Sequence, residues 1–293
     1  MYIFRGPDVY MALFRFMLAP LEGYSDGVFR TVCFSHGADL TFTEMAHVGS
    51  FLRNNKPALA KITVNDSTPV QIQLLTGRED QLESFIGGFK PFPGFMGFNL
   101  NLSCPSRDVI QQGKGAAMVK RAAKTQRLVS LIQRHGYPAS VKLRLGTNEF
   151  EKTNKVYLNS VGGVEADFFI VHAKTAAQES GEFEDYSVFP ECVEAAGGRP
   201  VIANGGVDSA EKVRVLRGMG VGGVMIGRAA MSNPAIFDAL KNELGFNEPR
   251  RTVPDIDELK REYVSLHTRL CGQERYRENF LRVVGKKIGS EIY

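Results

Sequence analysis

The sequence predicts an α/β protein, a (β/α)8 barrel followed by a small C-terminal helical extension, and three observations carry that expectation. Short apolar or β-branched runs recur eight times, each closed by a polar or glycine-rich turn and followed by a segment of helical character. The eight units fit within about 230 residues, close to the roughly 250 that such a barrel takes. The first run leads into Ala19-Pro20-Leu21-Glu22-Gly23, which lacks the GxGxxG turn of a doubly wound dinucleotide-binding sheet.

The expected strands are FMLAP (16–20), LTFTE (40–44), VQIQL (70–74), GFNLNLS (97–103), SVKLRL (140–145), FFIVHA (168–173), PVIANGG (200–206) and GVMIGR (223–228). Helices fall between them, for example over 26–37 and 116–136. In the second of these, Met118, Ala122, Leu128, Leu131 and Ile132 keep roughly helical spacing and Gly136-Tyr137-Pro138 supplies the stop. Residues 242–254 (NELGFNEPRRTVP) are polar and broken by Gly and Pro, so they read as a linker. Beyond it, Ile256, Leu259, Tyr263, Leu266 and Leu270 step by three and four, and Tyr276, Phe280, Leu281, Val284 and Ile288 suggest a second amphipathic helix. The division is therefore a barrel over 1–241 and an extension over 242–293.

Composition excludes several classes. With 293 residues, 43% of them apolar and 23% charged, the chain is a folded protein and not a disordered or fibrous one. Cys33, Cys104, Cys192 and Cys271 lie far apart without a CxxC or Cys-His pairing, which argues against a disulfide framework or a zinc finger and for a reducing, cytoplasmic setting. The apolar N-terminus is interrupted by Arg5, Asp8 and Arg15, unlike a signal peptide, and no run of about 18 apolar residues is long enough to span a membrane. Net charge is only +4, but the excess gathers from Arg269 to Lys287, where Arg269, Arg275, Arg277, Arg282, Lys286 and Lys287 face only Glu274 and Glu278. A monomer without a metal is expected.

In such a barrel the chemistry sits at the C-terminal ends of the strands. Strands seven and eight end in Asn204-Gly205-Gly206 and Gly227-Arg228, where glycines let backbone N–H groups approach an anion and Arg228 adds a fixed charge, the expected seat of a phosphate. Strand five ends with Lys142 and Arg144 on one parity, two cations that must meet an anion at the mouth unless Lys142 pairs with Glu44 or forms a Schiff base. Strand four carries Asn99 and Asn101 on one parity, suited to an amide or imide edge, and Cys104 follows in a polar loop before Pro105, where a thiol can act as acid or nucleophile. His172 ends strand six, where a neutral imidazole can bond a carbonyl or a cofactor edge. The other histidines lie in helical or turn contexts and assemble no metal cluster.

Ten motifs in order from about Phe16 to Ala239 resemble the tRNA-dihydrouridine synthases. They are Ala19 to Gly23 with Ser25 to Arg30, Thr43-Glu44-Met45, Gln71 to Leu74, Asn101 to Pro105 with Gly113 to Ala117, Val141 to Arg144, Val171 to Thr175, Ala203 to Gly206 and Met225 to Ala229. The resemblance implies an FMN-containing barrel that reduces the C5=C6 bond of a uridine in tRNA with electrons from NADPH. By the same resemblance Cys104 protonates C5 after hydride reaches C6. Gln71, Lys142 and His172 contact the flavin ring, with Pro20 and Leu21 beside it. Asn204, Gly206, Gly227 and Arg228 cradle the phosphate, and Asn101, Arg144 and Lys174 face the substrate. The chain departs from the family pattern at Lys174, where Arg is usual, at Glu22, where a small residue is common, and in having only about 50 residues for the helical part that clamps tRNA. The alternative is a dihydroorotate dehydrogenase-like FMN barrel, which Asn101 to Pro105 alone would fit.

Overall fold

The computed structural model describes residues 14–53, 55–62, 64 and 66–286. Its elements run β1 (Arg15–Leu18), α1 (Gly27–Ser35), β2 (Thr41–Phe42), β3 (Ala46–His47), β4 (Val70–Leu75), α2 (Glu79–Gly87), β5 (Phe95–Leu102), α3 (Ala122–Arg134), β6 (Ala139–Arg144), α4 (Val156–Gly163), β7 (Phe169–His172), α5 (Phe189–Ala195), β8 (Val201–Asn204), α6 (Ala210–Gly218), β9 (Gly223–Ile226) and α7 (Ile236–Leu244). Two tail helices follow, α8 (Ile256–Arg269) and α9 (Glu274–Val283).

All strand pairs are parallel, in the order β1-β9-β8-β7-β6-β5-β4-β2, with β3 also paired to β4. The ring closes between β1 and the approach to β2, where the Leu18 amide donates to the Leu40 carbonyl at 2.9 Å and the Asp39 amide to the Phe16 carbonyl at 2.7 Å. A parallel sheet wrapped by helices is covered on both faces, which is why its strands read as nearly continuous apolar runs. In β4 all six residues are buried, two glutamines among them.

Each expected strand is present, but strand two differs in kind. Instead of one run over 40–44 it forms two short pieces, β2 and β3, interrupted at Thr43, whose hydroxyl accepts from the Gln73 amide at 3.0 Å. A side chain there takes the place of a backbone rung, so β3 resumes alongside Leu74 and Leu75 of β4. The expected boundary at residue 241 falls inside α7, which continues to Leu244.

Helix starts follow from local chemistry. Asp26 caps α1 by accepting from the Phe29 amide at 2.9 Å, and Asp255 with Glu258 forms a reciprocal capping box on α8. The tail is docked on the barrel. Leu259, Tyr263, Leu266, Tyr276, Phe280 and Val283 are buried, with Phe280 stacked on Tyr263 at 3.9 Å between ring centroids and 6.1 Å from the Phe29 ring of α1. Leu281, expected on the apolar face of α9, is exposed, because the buried face runs through Val283 instead; Ile288 and Lys287 lie outside the described residues, as do residues 1–13. Among the described residues, no helix is long and apolar enough to cross a membrane.

Phe280 is the ring of α9 that packs on both α8, through Tyr263, and the barrel, through Phe29. Phe280→Ala should therefore destabilise the protein by about 3–5 kcal/mol, read as a lower urea midpoint. An unchanged midpoint would mean that the tail contributes no stability.

Candidate active site

The parallel register brings the ends of five strands to one level. Asn101 lies opposite Lys142, Arg144 opposite His172, His172 opposite Asn204, and Asn204 opposite Met225. Above this ring opens a cavity of about 1060 Å³. Every residue expected at the site except Gln71 lines it: Pro20, Leu21, Asn101, Cys104, Lys142, Arg144, His172, Lys174, Asn204, Gly206, Gly227 and Arg228.

Gln71 is the correction. It is buried one layer deeper, where its amide donates to the Met96 carbonyl at 3.2 Å and its carbonyl accepts from the Ser140 hydroxyl at 2.5 Å. Side chains two residues apart on a strand share a face but stand about 6.5 Å apart along it, and Gln73, not Gln71, reaches the cavity. The rule that strand ends carry function would have selected Gln73.

Cys104 is positioned by its neighbours. The Asn101 side-chain oxygen accepts from the amides of Ser103 at 2.9 Å and Cys104 at 2.8 Å, folding the chain back over the end of β5. Lys142 Nζ donates to the Ser103 hydroxyl at 3.2 Å, Arg144 Nε to the Ser103 carbonyl at 3.0 Å, and the Ala116 amide to the Cys104 carbonyl at 3.1 Å. Gly115 makes this approach possible. Its φ is +55° and a Cβ there would lie 2.8 Å from the Cys104 carbonyl oxygen. The thiol is half-buried at the mouth.

The electrostatics are cationic. Burial, and then the Arg144 charge, brings the Lys142 ammonium down to about 7 from its ordinary 10.5. Burial lowers His172 well below the usual imidazole value, and Lys142, Arg144, Lys174 and Arg228 push the same way, so the ring is neutral at physiological pH. Among the described residues Lys142 has no carboxylate partner. Glu44, the alternative partner, is committed elsewhere, to the Gly23 amide, to the Tyr276 hydroxyl at 2.9 Å and to Lys61 at 3.5 Å.

Two expected roles change in character. Lys174 is buried and donates to the carbonyls of Glu179 at 3.1 Å and Ser180 at 2.9 Å, so it anchors the loop after β7. Asn101 spends its oxygen on the Cys104 turn and one amide proton on Gln73 at 2.8 Å, so it holds the site and keeps little capacity for a ligand. The cavity also takes in Met45, His47, Ser103, Gln178 and Met225, none of which the sequence marks as a site residue in its own right. Met45 and His47 were hidden by the break in strand two; Ser103 sat between two better-marked residues.

The barrel mouth thus sets a thiol, a buried lysine and a neutral histidine beside a turn of glycines and Arg228, an arrangement suited to an oxidoreductase. The profile of the family described as Dihydrouridine synthase (Dus) matches residues 17–290. The chain is 30% identical to tRNA-dihydrouridine synthase B of Pseudomonas putida over 251 residues, 84% of this chain and 73% of that one. To the tRNA-dihydrouridine synthase B of Vibrio vulnificus it is 27% identical, covering 84% and 76%. A solved structure of morphinone reductase superposes with a TM-score of 0.51 at 12% identity, over 84% of this chain and 90% of that chain, which is a likeness of fold. The chain belongs to the dihydrouridine synthase family, and that membership favours this reading over the dihydroorotate dehydrogenase-like one. No group of three or more His, Cys, Asp or Glu that could hold a metal occurs among the described residues.

The lowered Lys142 value makes a linkage prediction. The unfolded chain holds this proton up to about 10.5 and the folded protein only to about 7, so the unfolded state binds more protons between those limits and stability rises with pH there. Lys142→Met should be more stable than the wild type by its widest margin near pH 6–7, with the margin closing toward pH 10.5 in urea titrations. A margin independent of pH would mean that Lys142 does not titrate in that window.

Proposed function

We propose that this chain reduces the C5=C6 bond of a uridine in tRNA to 5,6-dihydrouridine, with FMN as its resident cofactor and NADPH as the electron source. The observation that carries the reading is the Cys104 loop, pinned by Asn101, Lys142 and Arg144 at the mouth of a flavin-sized cavity. The residues present suit FMN. Gly205 and Gly206 take φ of +121° and +57°, a bare backbone turn beside Arg228, and the cavity is large enough to admit a cofactor of this size. Gly206, Gly227 and Arg228 would hold the phosphate, and Pro20 and Leu21 would flank the ring. Lys142, His172, Asn204 and Gln73 would meet its polar edges.

Bound FMN, once reduced by NADPH, supplies the hydride that adds to C6 of the pyrimidine. The chain supplies what remains. Cys104 delivers its proton to C5, so hydride and proton together saturate the double bond. The thiolate left behind faces Arg144, whose own pKa is lowered by burial and supported by the Cys104 charge. A half-buried thiol regains its proton from solvent. Lys142 keeps a positive charge available on the cavity floor, close to its own titration point, and neutral His172 can donate or accept without adding charge.

A uridine reaches this depth only by leaving its stack. The exposed Arg269, Arg275, Arg282 and Lys286 on the tail would neutralise backbone phosphates while it does so. Arg277 is engaged with Glu274 at 2.5 Å.

The test is direct. Purified protein should show flavin absorbance that bleaches with NADPH and recovers on adding unmodified tRNA, with dihydrouridine formed. Recovery only with dihydroorotate chemistry, or a colourless protein that FMN does not reconstitute, would overturn the proposal. Cys104→Ala should keep its flavin and lose about 10²–10⁴-fold in uridine reduction; full turnover by this variant would remove Cys104 as the acid.

A further inference from the structure

The loop between β7 and α5 places a carboxylate against the anion seat. Glu184 Oε1 lies 3.6 Å from Arg228 Nη2 and 3.4 Å from Lys174 Nζ. Its side chain covers the Gly205-Gly206 turn so closely that a Cβ on Gly206 would stand 2.6 Å from Oε2, and one on Gly205 would stand 2.6 Å from Cγ. Arg228 is also turned toward this loop, with Nη1 donating to the Ser180 carbonyl at 3.0 Å and hydroxyl at 2.9 Å. Glu184 Oε1 is buried and accepts no hydrogen bond. A carboxylate in that state is held by charge and packing alone, and leaving costs it no hydrogen bond at that oxygen. The other carboxylate beside the turn, Asp208, has a cation of its own in Lys212 at 3.0 Å.

Charge counting gives this arrangement a consequence. Arg228 and Lys174 carry two positive charges, and Glu184 already takes one negative charge against them. A phosphate monoester brings about −1.5 to −2 more near neutral pH, so with Glu184 in place the seat is overfilled with negative charge. We infer that Glu184 sets the affinity for the cofactor by competing with its phosphate group for Arg228, so that phosphate binding exchanges one anion for another and releases Glu184 and Ser180 from the guanidinium. The inference rests on the FMN reading above and concerns only its phosphate end. Glu184 is a positioning residue here; it takes no part in the redox chemistry.

The experiment compares FMN with riboflavin, which has the same ring and ribityl chain but no phosphate. Dissociation constants are measured by quenching of flavin fluorescence on flavin-stripped protein, for the wild type, Glu184→Gln, Arg228→Gln and the double variant. Glutamine keeps the size and removes the charge. Glu184→Gln should bind FMN at least about tenfold more tightly, equivalent to about 1.4 kcal/mol of relieved repulsion, while its riboflavin affinity moves less than about twofold on that scale. In the Arg228→Gln background the same change should have little effect on FMN. FMN binding that is unchanged or weaker in Glu184→Gln, or an equal gain for both flavins, would overturn the competition. An effect that persists without Arg228 would overturn the route through the guanidinium. If the wild type binds neither flavin, the FMN reading itself falls, an outcome distinct from these. Thermal melting of each variant establishes that it is folded before its affinity is read.

Discussion

A chain of hydrogen bonds through the inside of the barrel is what the site depends on. Asn101 donates to Gln73 at 2.8 Å, Gln73 to Asn99 at 2.8 Å, Asn99 to the Ser140 hydroxyl at 2.7 Å, and Ser140 to Gln71 at 2.5 Å. The Gln71 amide ends the chain on the Met96 carbonyl at 3.2 Å. All five side chains are buried, where an unpartnered amide costs far more than a made hydrogen bond returns. Each member therefore has essentially one orientation, and the last of them, Asn101, has its oxygen aimed at the amides of Ser103 and Cys104. The position of the proposed acid is thus set from the middle of three strands and not from the loop in which it lies. This also gives Gln71 its purpose. It terminates the ladder and need never touch a ligand.

The second organising feature is positive charge gathered without a metal-type cluster among the described residues. Lys142, Arg144, Lys174 and Arg228 all act on His172, and each is held by carbonyls or hydroxyls of the loops they support. Neutral acceptors satisfy the donors and Glu184 offsets only one of the four charges, which favours an anionic occupant, while burial, and then Arg144, lowers the Lys142 pKa. Arg144 bridges two loops in this way, donating to Ser103 and, at 2.7 Å, to Thr175. The same cations that would receive cofactor and substrate also fasten the loops around them.

The sequence made the barrel legible because parallel strands buried on both faces are apolar along their whole length, and because turns after them are marked by glycine and polar residues. Strand-end residues such as Cys104, Lys142 and His172 were legible for the same reason: charge or a thiol at the end of an apolar run stands out. Depth along a strand is marked only by distance from its end. Gln71 and Gln73 have the same chemistry and parity, and the strand-end rule separates them where the family resemblance points to Gln71. Leu281 and Val283 pose another ambiguity, since a helix of ten residues does not fix to which side of Phe280 its buried face extends until its neighbours are known. Glu184 left no signal at all. It lies twelve residues beyond the end of its strand, in a loop whose course is set by Lys174 and Arg228, and one glutamate among Glu179, Glu182 and Glu184 is indistinguishable from the others before folding.

The tail, finally, is more than an appended pair of helices, because its contacts run into the first and second βα loops of the barrel. Asn279 donates to the Gly23 carbonyl at 2.9 Å, and Tyr276 donates to Glu44, which also accepts from the Gly23 amide and pairs with Lys61. Lys61 in turn reaches Glu22 at the cavity rim. Glu44 is buried, and burial followed by the proximity of Glu22 raises its pKa, so losing any one of these partners would leave a costly group behind. Fixing Gly23 from both its carbonyl and its amide fixes the turn that begins with Pro20 and Leu21. The two tail helices therefore help shape the entrance to the cavity. Arg275 joins this network by donating to the Tyr276 hydroxyl at 2.7 Å, so α9 and the turn at the cavity entrance are held by one set of hydrogen bonds.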